Sequence, residues 1–225
     1  VIKWAEPNKA GVLNPDDILN LITPKTKLIS ITHMSNVLGT VVDVKKICEA
    51  VKNDDIAVLV DGSQSAVHLP IDVKDLGCDF FAITGHKLYG PSGSGAIYIK
   101  RERLNEMQPF MGGGDMIKTV TFEKTTYNEL PHKFEAGTPN IVGGIAIAAA
   151  INYKNSIGIE NIAVHEEELL NYATEKIKEI DGIRIIGEAK NKASVLSFLV
   201  DGTHPTDIGM ILDKLGIAIR TGHHC

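Results

Sequence analysis

Two residues at the ends of apolar runs could share a chemistry. Asp61 follows the β-prone run Ile56–Val60, and Lys87 follows the run Phe80–Thr84. Read singly, Asp61-Gly62 is a turn dipeptide and Lys87 a solvated surface lysine. Read together, a strand-end carboxylate and a strand-end amine form the pair that pyridoxal phosphate requires. The lysine joins the aldehyde as a Schiff base, and the aspartate keeps the ring nitrogen protonated so that the ring can accept electrons. Because it closes an apolar strand, Asp61 is expected to be partly buried and to need a partner. His33, Ser35 and Asn36 follow the run Lys27–Thr32, Gln64 follows Asp61, and Thr84 and His86 precede Lys87. Ligands of open α/β sheets bind outside the carboxyl ends of the strands, so these residues are expected to converge.

A second group closes the chain: Arg220-Thr221-Gly222-His223-His224-Cys225. The fork of donors on Arg220 suits a carboxylate, and two histidines and a glycine before Cys225 favour a reactive, mobile thiol. An exposed arginine beside a free terminal cysteine is the plainer reading. A zinc site using His223 and Cys225 lacks a second ligand pair. His68, His132, His165 and His204 read as surface or packing residues, and Cys48 and Cys78 as small core residues. Gly90-Pro91-Ser92-Gly93-Ser94-Gly95 resembles a phosphate loop only loosely, since it lacks the Gly-Lys-Ser/Thr ending.

These residues need a frame. Asn14-Pro15-Asp16-Asp17 reads as a helix start, with Ile18, Leu19, Leu21 and Ile22 continuing it. Strands are expected at Lys27–Thr32, Ile56–Val60, Phe80–Thr84 and Gly95–Ile99, with a helix over Asp43–Lys52. That alternation predicts an α/β unit with a mostly parallel sheet. Residues 101–138 read as irregular and Gly-rich. A buried helix is expected over 140–156 and an amphipathic one over Ile159–Glu179. Then come a strand (Val195–Val200), a helix (Pro205–Leu215) and a strand (Ile217–Arg220). Residues 1–158 thus form part of a large domain, and 159–225 part of a smaller α+β domain.

Composition narrows the function classes. Of 225 residues, 44% are hydrophobic and 23% charged, which suits a chain that buries a core without disulfide or metal staples. A formal net charge of −5 gives no footprint for nucleic acid or an anionic membrane. The longest weakly polar run, Ile141–Ile151, falls far short of the roughly 20 residues of a membrane helix. Three widely spaced cysteines spell no disulfide framework and point to a reducing compartment. With Val1 at one end and Cys225 at the other, the chain reads as a fragment.

The segments Asp61-Gly62-Ser63-Gln64, Thr84-Gly85-His86-Lys87-Leu88-Tyr89-Gly90-Pro91 and Arg220-Thr221-Gly222-His223-His224-Cys225 resemble those of group II, SUF-type cysteine desulfurases. These belong to the class V aminotransferase-like pyridoxal phosphate enzymes. His33-Met34-Ser35-Asn36 and Glu135-Ala136-Gly137-Thr138-Pro139 resemble further motifs of the family, and the likeness runs along essentially the whole chain. The resemblance implies an α/β fold: a partial large domain of the aspartate aminotransferase-like, fold type I class, with the smaller α+β domain behind it. It implies Lys87 as the Schiff-base lysine, Asp61 as the pyridinium partner and Gln64 as a donor to the ring oxygen. Thr84 and His86 would contact the cofactor phosphate, and Thr138 the phosphate of a neighbouring subunit, hence a homodimer. Asn36 and Arg220 would hold the substrate carboxylate, and Cys225 would be the nucleophile. The implied reaction turns L-cysteine into L-alanine and leaves a persulfide on Cys225. A sulfur-acceptor protein of the SUF system would take that sulfur for iron-sulfur cluster assembly in the cytoplasm. A selenocysteine lyase, another class V enzyme such as an aminotransferase, and a fragment unable to hold the cofactor are the other readings. Members of the family run further on the N-terminal side, where they supply more phosphate contacts and a histidine that stacks on the ring, and continue past Cys225.

Overall fold

The frame is a four-stranded sheet in the spatial order β1-β2-β3-β4. β1 (Leu28–Thr32), β2 (Ala57–Asp61) and β3 (Phe80–Thr84) run parallel, and β4 (Gly95–Ile99) returns antiparallel beside β3. The structure, a computed structural model, describes residues 1–224; the expected nucleophile Cys225 lies outside the described residues. α1 (Pro15–Leu19) starts where Asn14 accepts the Asp16 amide, and it stops before Leu21 and Ile22, shorter than the apolar pattern suggested. α2 (Val44–Val51) is capped by Asp43, which accepts the Lys46 amide at 3.0 Å. Its Val44, Ile47, Cys48 and Val51 share one face and pack on Ile29, Ile31, Val58, Val60 and Phe81. Two four-residue helices, α3 (Ser65–His68) and α4 (Val73–Leu76), connect β2 to β3.

Buried Asp79 anchors the start of β3. It accepts the Val58 amide at 2.9 Å and pairs with Arg103 Nε at 3.2 Å and Lys100 Nζ at 3.4 Å. Arg103 lies on α5 (Arg101–Glu106). A hairpin of β5 (Ile117–Val120) and β6 (Thr125–Tyr127) and a 3-10 turn at His132–Phe134 follow, so the stretch read as irregular holds short regular elements. α6 (Ile141–Ile157) and α7 (Ile159–Lys178) come next. β7 (Ile183–Ile186) then pairs antiparallel with β8 (Ser197–Val200), and α8 (Pro205–Lys214) is the last helix described.

The last part of the chain docks on the loop after β1. The Val41 amide donates to the Asn191 carbonyl at 3.0 Å, and the Ala193 amide to the Gly39 carbonyl at 2.9 Å. Ser197 Oγ donates to the Val37 carbonyl at 2.5 Å. A side chain at Gly39 would put its Cβ 2.4 Å from the Ala193 carbonyl oxygen, so this seam needs the glycine.

Two further expectations change. α6 is not a buried helix: only Gly143 and Ala150 are buried, whereas Val142 is 76% and Ile145 69% exposed. Its apolar residues run all round the helix, but the described chain covers a single stripe of them. Ile217–Arg220 forms no strand among the described residues, because β-prone side chains need a neighbouring ladder as well as propensity. The partner of β8 is instead β7, a short Ile-rich run just after the Asp181-Gly182 turn.

Candidate active site

The sheet's ladder extends past its strands and aligns the candidate residues at one edge. The His33 amide donates to the Asp61 carbonyl at 2.9 Å, and the Gly62 amide to the Ala82 carbonyl at 2.9 Å. The ends of β1, β2 and β3 therefore lie side by side, and with them His33, Asp61 and Thr84. Asp61 is exposed rather than partly buried: as the last residue of β2 it alternates onto the face opposite buried Val58 and Val60. Its Oδ1 accepts the Ser63 amide at 2.9 Å, which orients the carboxylate within its own turn. Gly62 is obligatory there, since a Cβ would lie 2.1 Å from the Phe81 ring. Half-buried Gln64 begins α3, whose Ala66 amide donates back to the Gly62 carbonyl at 2.9 Å.

Beside this turn, Thr84 Oγ1 and His86 Nδ1 lie 2.9 Å apart, a hydroxyl–imidazole pair able to present donors to an anion. Lys87 is half-buried in a tight turn in which both the Leu88 and Gly90 amides donate to the Gly85 carbonyl. Tyr89 follows with a φ of 59°, a left-handed conformation that costs a non-glycine residue about 1 kcal/mol. Its ring meets Tyr153 of α6 edge-on, at 5.8 Å between centroids.

Asn36 brings in the chain terminus. Its Nδ2 donates to the His224 carbonyl at 2.5 Å, so the residue before Cys225 sits against the loop after β1. Arg220 is exposed on the same segment. Thr138, in contrast, is exposed on the loop between the 3-10 turn and α6, not on a strand end. Its neighbours Gly137 and Pro139 line an open cavity of about 370 Å³ together with Asp115, Asn128, His132 and Glu135.

Burial sorts the titratable groups. It pushes the Cys48 thiol up to about 12, with Cys78 nearby adding to the effect, and it raises the Cys78 thiol too. Both thiols are free, buried and protonated, so of the three cysteines only Cys225 is left as a candidate nucleophile. Burial lowers the pKa of His33, which keeps it neutral edge-on to Phe81. Among the described residues, no group of three His, Cys, Asp or Glu could hold a metal, and no helix is long and apolar enough to cross a membrane.

Sequence reasoning missed two supports of this edge. His68 Nδ1 lies 2.8 Å from a Glu166 oxygen of α7 and 3.2 Å from Ser194 Oγ, partners far from it along the chain. Lys154 of α6 donates to the Ala66 carbonyl at 2.5 Å. A signal for the lysine existed: Gly143, Ile147, Ala150 and Lys154 fall at the three-and-four spacing of one helix stripe.

Comparison with known proteins gives one family. The model for aminotransferase class-V matches residues 1–225. A protein of Xylella fastidiosa (strain 9a5c) named "Probable cysteine desulfurase" is 54% identical over 215 residues, covering 96% of this chain and 52% of that protein. The apo structure of a cysteine desulfurase from Thermococcus onnurineus NA1 superposes with a TM-score of 0.93 at 37% identity, over 99% of this chain and 56% of that one. The crystal structure of the cysteine desulfurase CsdA from Escherichia coli, in an S-sulfonic acid form, gives 0.90 at 36% identity, over 96% and 54%. The chain thus has the fold of these enzymes and spans about half the length of the relatives it matches.

Proposed function

The chain belongs to the aminotransferase class-V family, and from that premise we propose that it is part of a cysteine desulfurase that binds pyridoxal phosphate. The observation that carries the reading is one sheet edge that holds an oriented carboxylate, an anion-binding pair, a lysine and the approach to Cys225. The donor set fits the cofactor. Asp61 would hold the ring nitrogen, Gln64 the ring oxygen, Thr84 and His86 the phosphate, and Lys87 the aldehyde carbon. Bound there, the cofactor supplies a sink for the electrons of the substrate's Cα–H bond.

The residues then divide the work. Asn36 and Arg220 hold the carboxylate of L-cysteine, and the Lys87 amine moves the α-proton. The Cys225 thiolate attacks the substrate sulfur: an S–S bond forms as the Cβ–S bond breaks, and the departing carbon takes a proton to become the methyl group of alanine. Cys225 is left as a persulfide. We further read residues 1–158 as part of the cofactor-binding domain and 159–225 as part of the small one. Thr138 would face a second subunit, and a SUF-type acceptor would take the sulfur for iron-sulfur assembly. The free, protonated Cys48 and Cys78 suit a reducing, cytoplasmic setting.

The test is mass spectrometry of the complete protein after exposure to L-cysteine. One added sulfur is expected on the peptide containing Cys225, absent from Cys225→Ser, while Lys87→Ala loses the visible cofactor band. Sulfur on another cysteine, or no sulfur at all, would favour a selenocysteine lyase or an aminotransferase. A band that survives Lys87→Ala would remove the cofactor assignment.

A further inference from the structure

Lys154 and Tyr153, neighbours on α6, touch α3 just after the Asp61–Gln64 turn and the Lys87 turn, respectively. Lys154 Nζ donates to the Ala66 carbonyl at 2.5 Å, 88 residues away in sequence. The Ala66 amide, one peptide unit before that carbonyl, donates to the Gly62 carbonyl, and the Gly62 amide donates to the Ala82 carbonyl of β3. Lys154 therefore anchors the residue whose own amide is bonded to Gly62, directly after Asp61. Tyr153 packs edge-on against Tyr89, two residues beyond Lys87, which is held at positive φ. Ile147, further up the helix, sits beneath the same turn: a Cβ at Gly85 would meet its side chain at 3.2 Å, and one at Gly90 at 3.5 Å.

α3 cannot hold itself. A four-residue helix leaves its last carbonyls without intrahelical donors, and a cation at that end satisfies one and suits the local dipole. The lysine is itself partly buried, and that burial lowers its pKa. Packing alone would be met by an alanine or a leucine at this stripe position, so the charged head is kept at a desolvation cost.

We propose that Lys154 and Tyr153 are positioning residues, which together set the separation between the Asp61–Gln64 turn and the Lys87 turn. The inference rests on the function proposed above. It concerns neither the substrate nor the cofactor directly, since Lys154 acts through the Ala66 carbonyl and Tyr153 through the Tyr89 ring. Substrate affinity should therefore be spared while the chemical step suffers.

The test uses the complete protein with Lys154→Met, Lys154→Arg and Tyr153→Leu. Lys154→Met should lower kcat about tenfold with KM for L-cysteine within twofold, and should shift the pH midpoint of the visible cofactor band. Lys154→Arg, which keeps the donor, should recover most of the rate. In the cofactor-free protein, amide exchange at Gly62–Ala66 should quicken about tenfold in Lys154→Met, with the β1 amides unchanged. Tyr153 is largely exposed, so Tyr153→Leu tests the same idea without endangering the fold, and it should also shift the band. A Lys154→Met protein that is only less heat-stable, with kcat, band titration and exchange as in wild type, would overturn the proposal. So would an unshifted band in Tyr153→Leu where Lys154→Met does not fold. Failure of the functional reading shows separately, as a wild-type protein without the lysine-dependent band.

Discussion

Asp61 reaches the sheet edge already oriented, with Oδ1 on the Ser63 amide. Asp61→Asn can keep that acceptor and the turn while losing only the charge, so it isolates what the carboxylate does. The expected variant retains cofactor but turns over about 30- to 1000-fold more slowly, the range for removing one strong charge-assisted contact from a transition state. Stopped-flow absorbance with L-cysteine reads both quantities. A rate within twofold of wild type would leave Asp61 a turn residue and nothing more. At this scale the sequence was most informative, because side-chain chemistry is written in residue type. The ends of β2 and β3 lie side by side, and Thr84 and His86 pair at the second of them. Exposure was harder to read: Asp61 looked partly buried because the apolar run before it says nothing about which way the next side chain points.

At the scale of elements, the parallel strands were legible from near-continuous β-branched runs and α2 from its apolar face and Asp43 cap. The hairpin β5–β6 and strand β7 were not, since each is at most four residues long and is defined by its partner more than by its own pattern. Long-range polar anchors were equally invisible. Asp79 bonds Val58 of β2 and two cations around α5, which ties β2, β3 and the chain after β4 to one carboxylate that is 11% exposed. Asp79→Ala should therefore cost about 3 kcal/mol, because it leaves Arg103 without its best-buried partner and the Val58 amide without an acceptor. Denaturant titration of the complete protein measures it, and a midpoint unchanged from wild type would show that Arg103 finds a substitute in Asp55 or Glu106, both within 3.5 Å.

At the scale of the whole molecule, apolar surface outruns what this stretch of chain can cover. Trp4 is 79%, Phe110 87% and Val142 76% exposed, and Ile141, Ile145 and Ile157 of α6 are exposed as well. Each exposed Å² of such apolar surface forgoes about 25 cal/mol of burial. A formal net charge of −5 opposes association only weakly and loses force as salt screens it. The polypeptide of residues 1–225, prepared by itself, should therefore brighten a hydrophobic dye and associate as its concentration rises, whereas the complete protein should bind little dye. Sulfate should strengthen that association, because excluded salts favour apolar burial, whereas an electrostatic contact would weaken. Sedimentation velocity over a concentration series, with and without sulfate, distinguishes the two. A monodisperse monomer that leaves the dye dark would mean that α6 and the N-terminal segment fold back on themselves, and the support assigned to Tyr153 and Lys154 would have to be sought in that rearranged form.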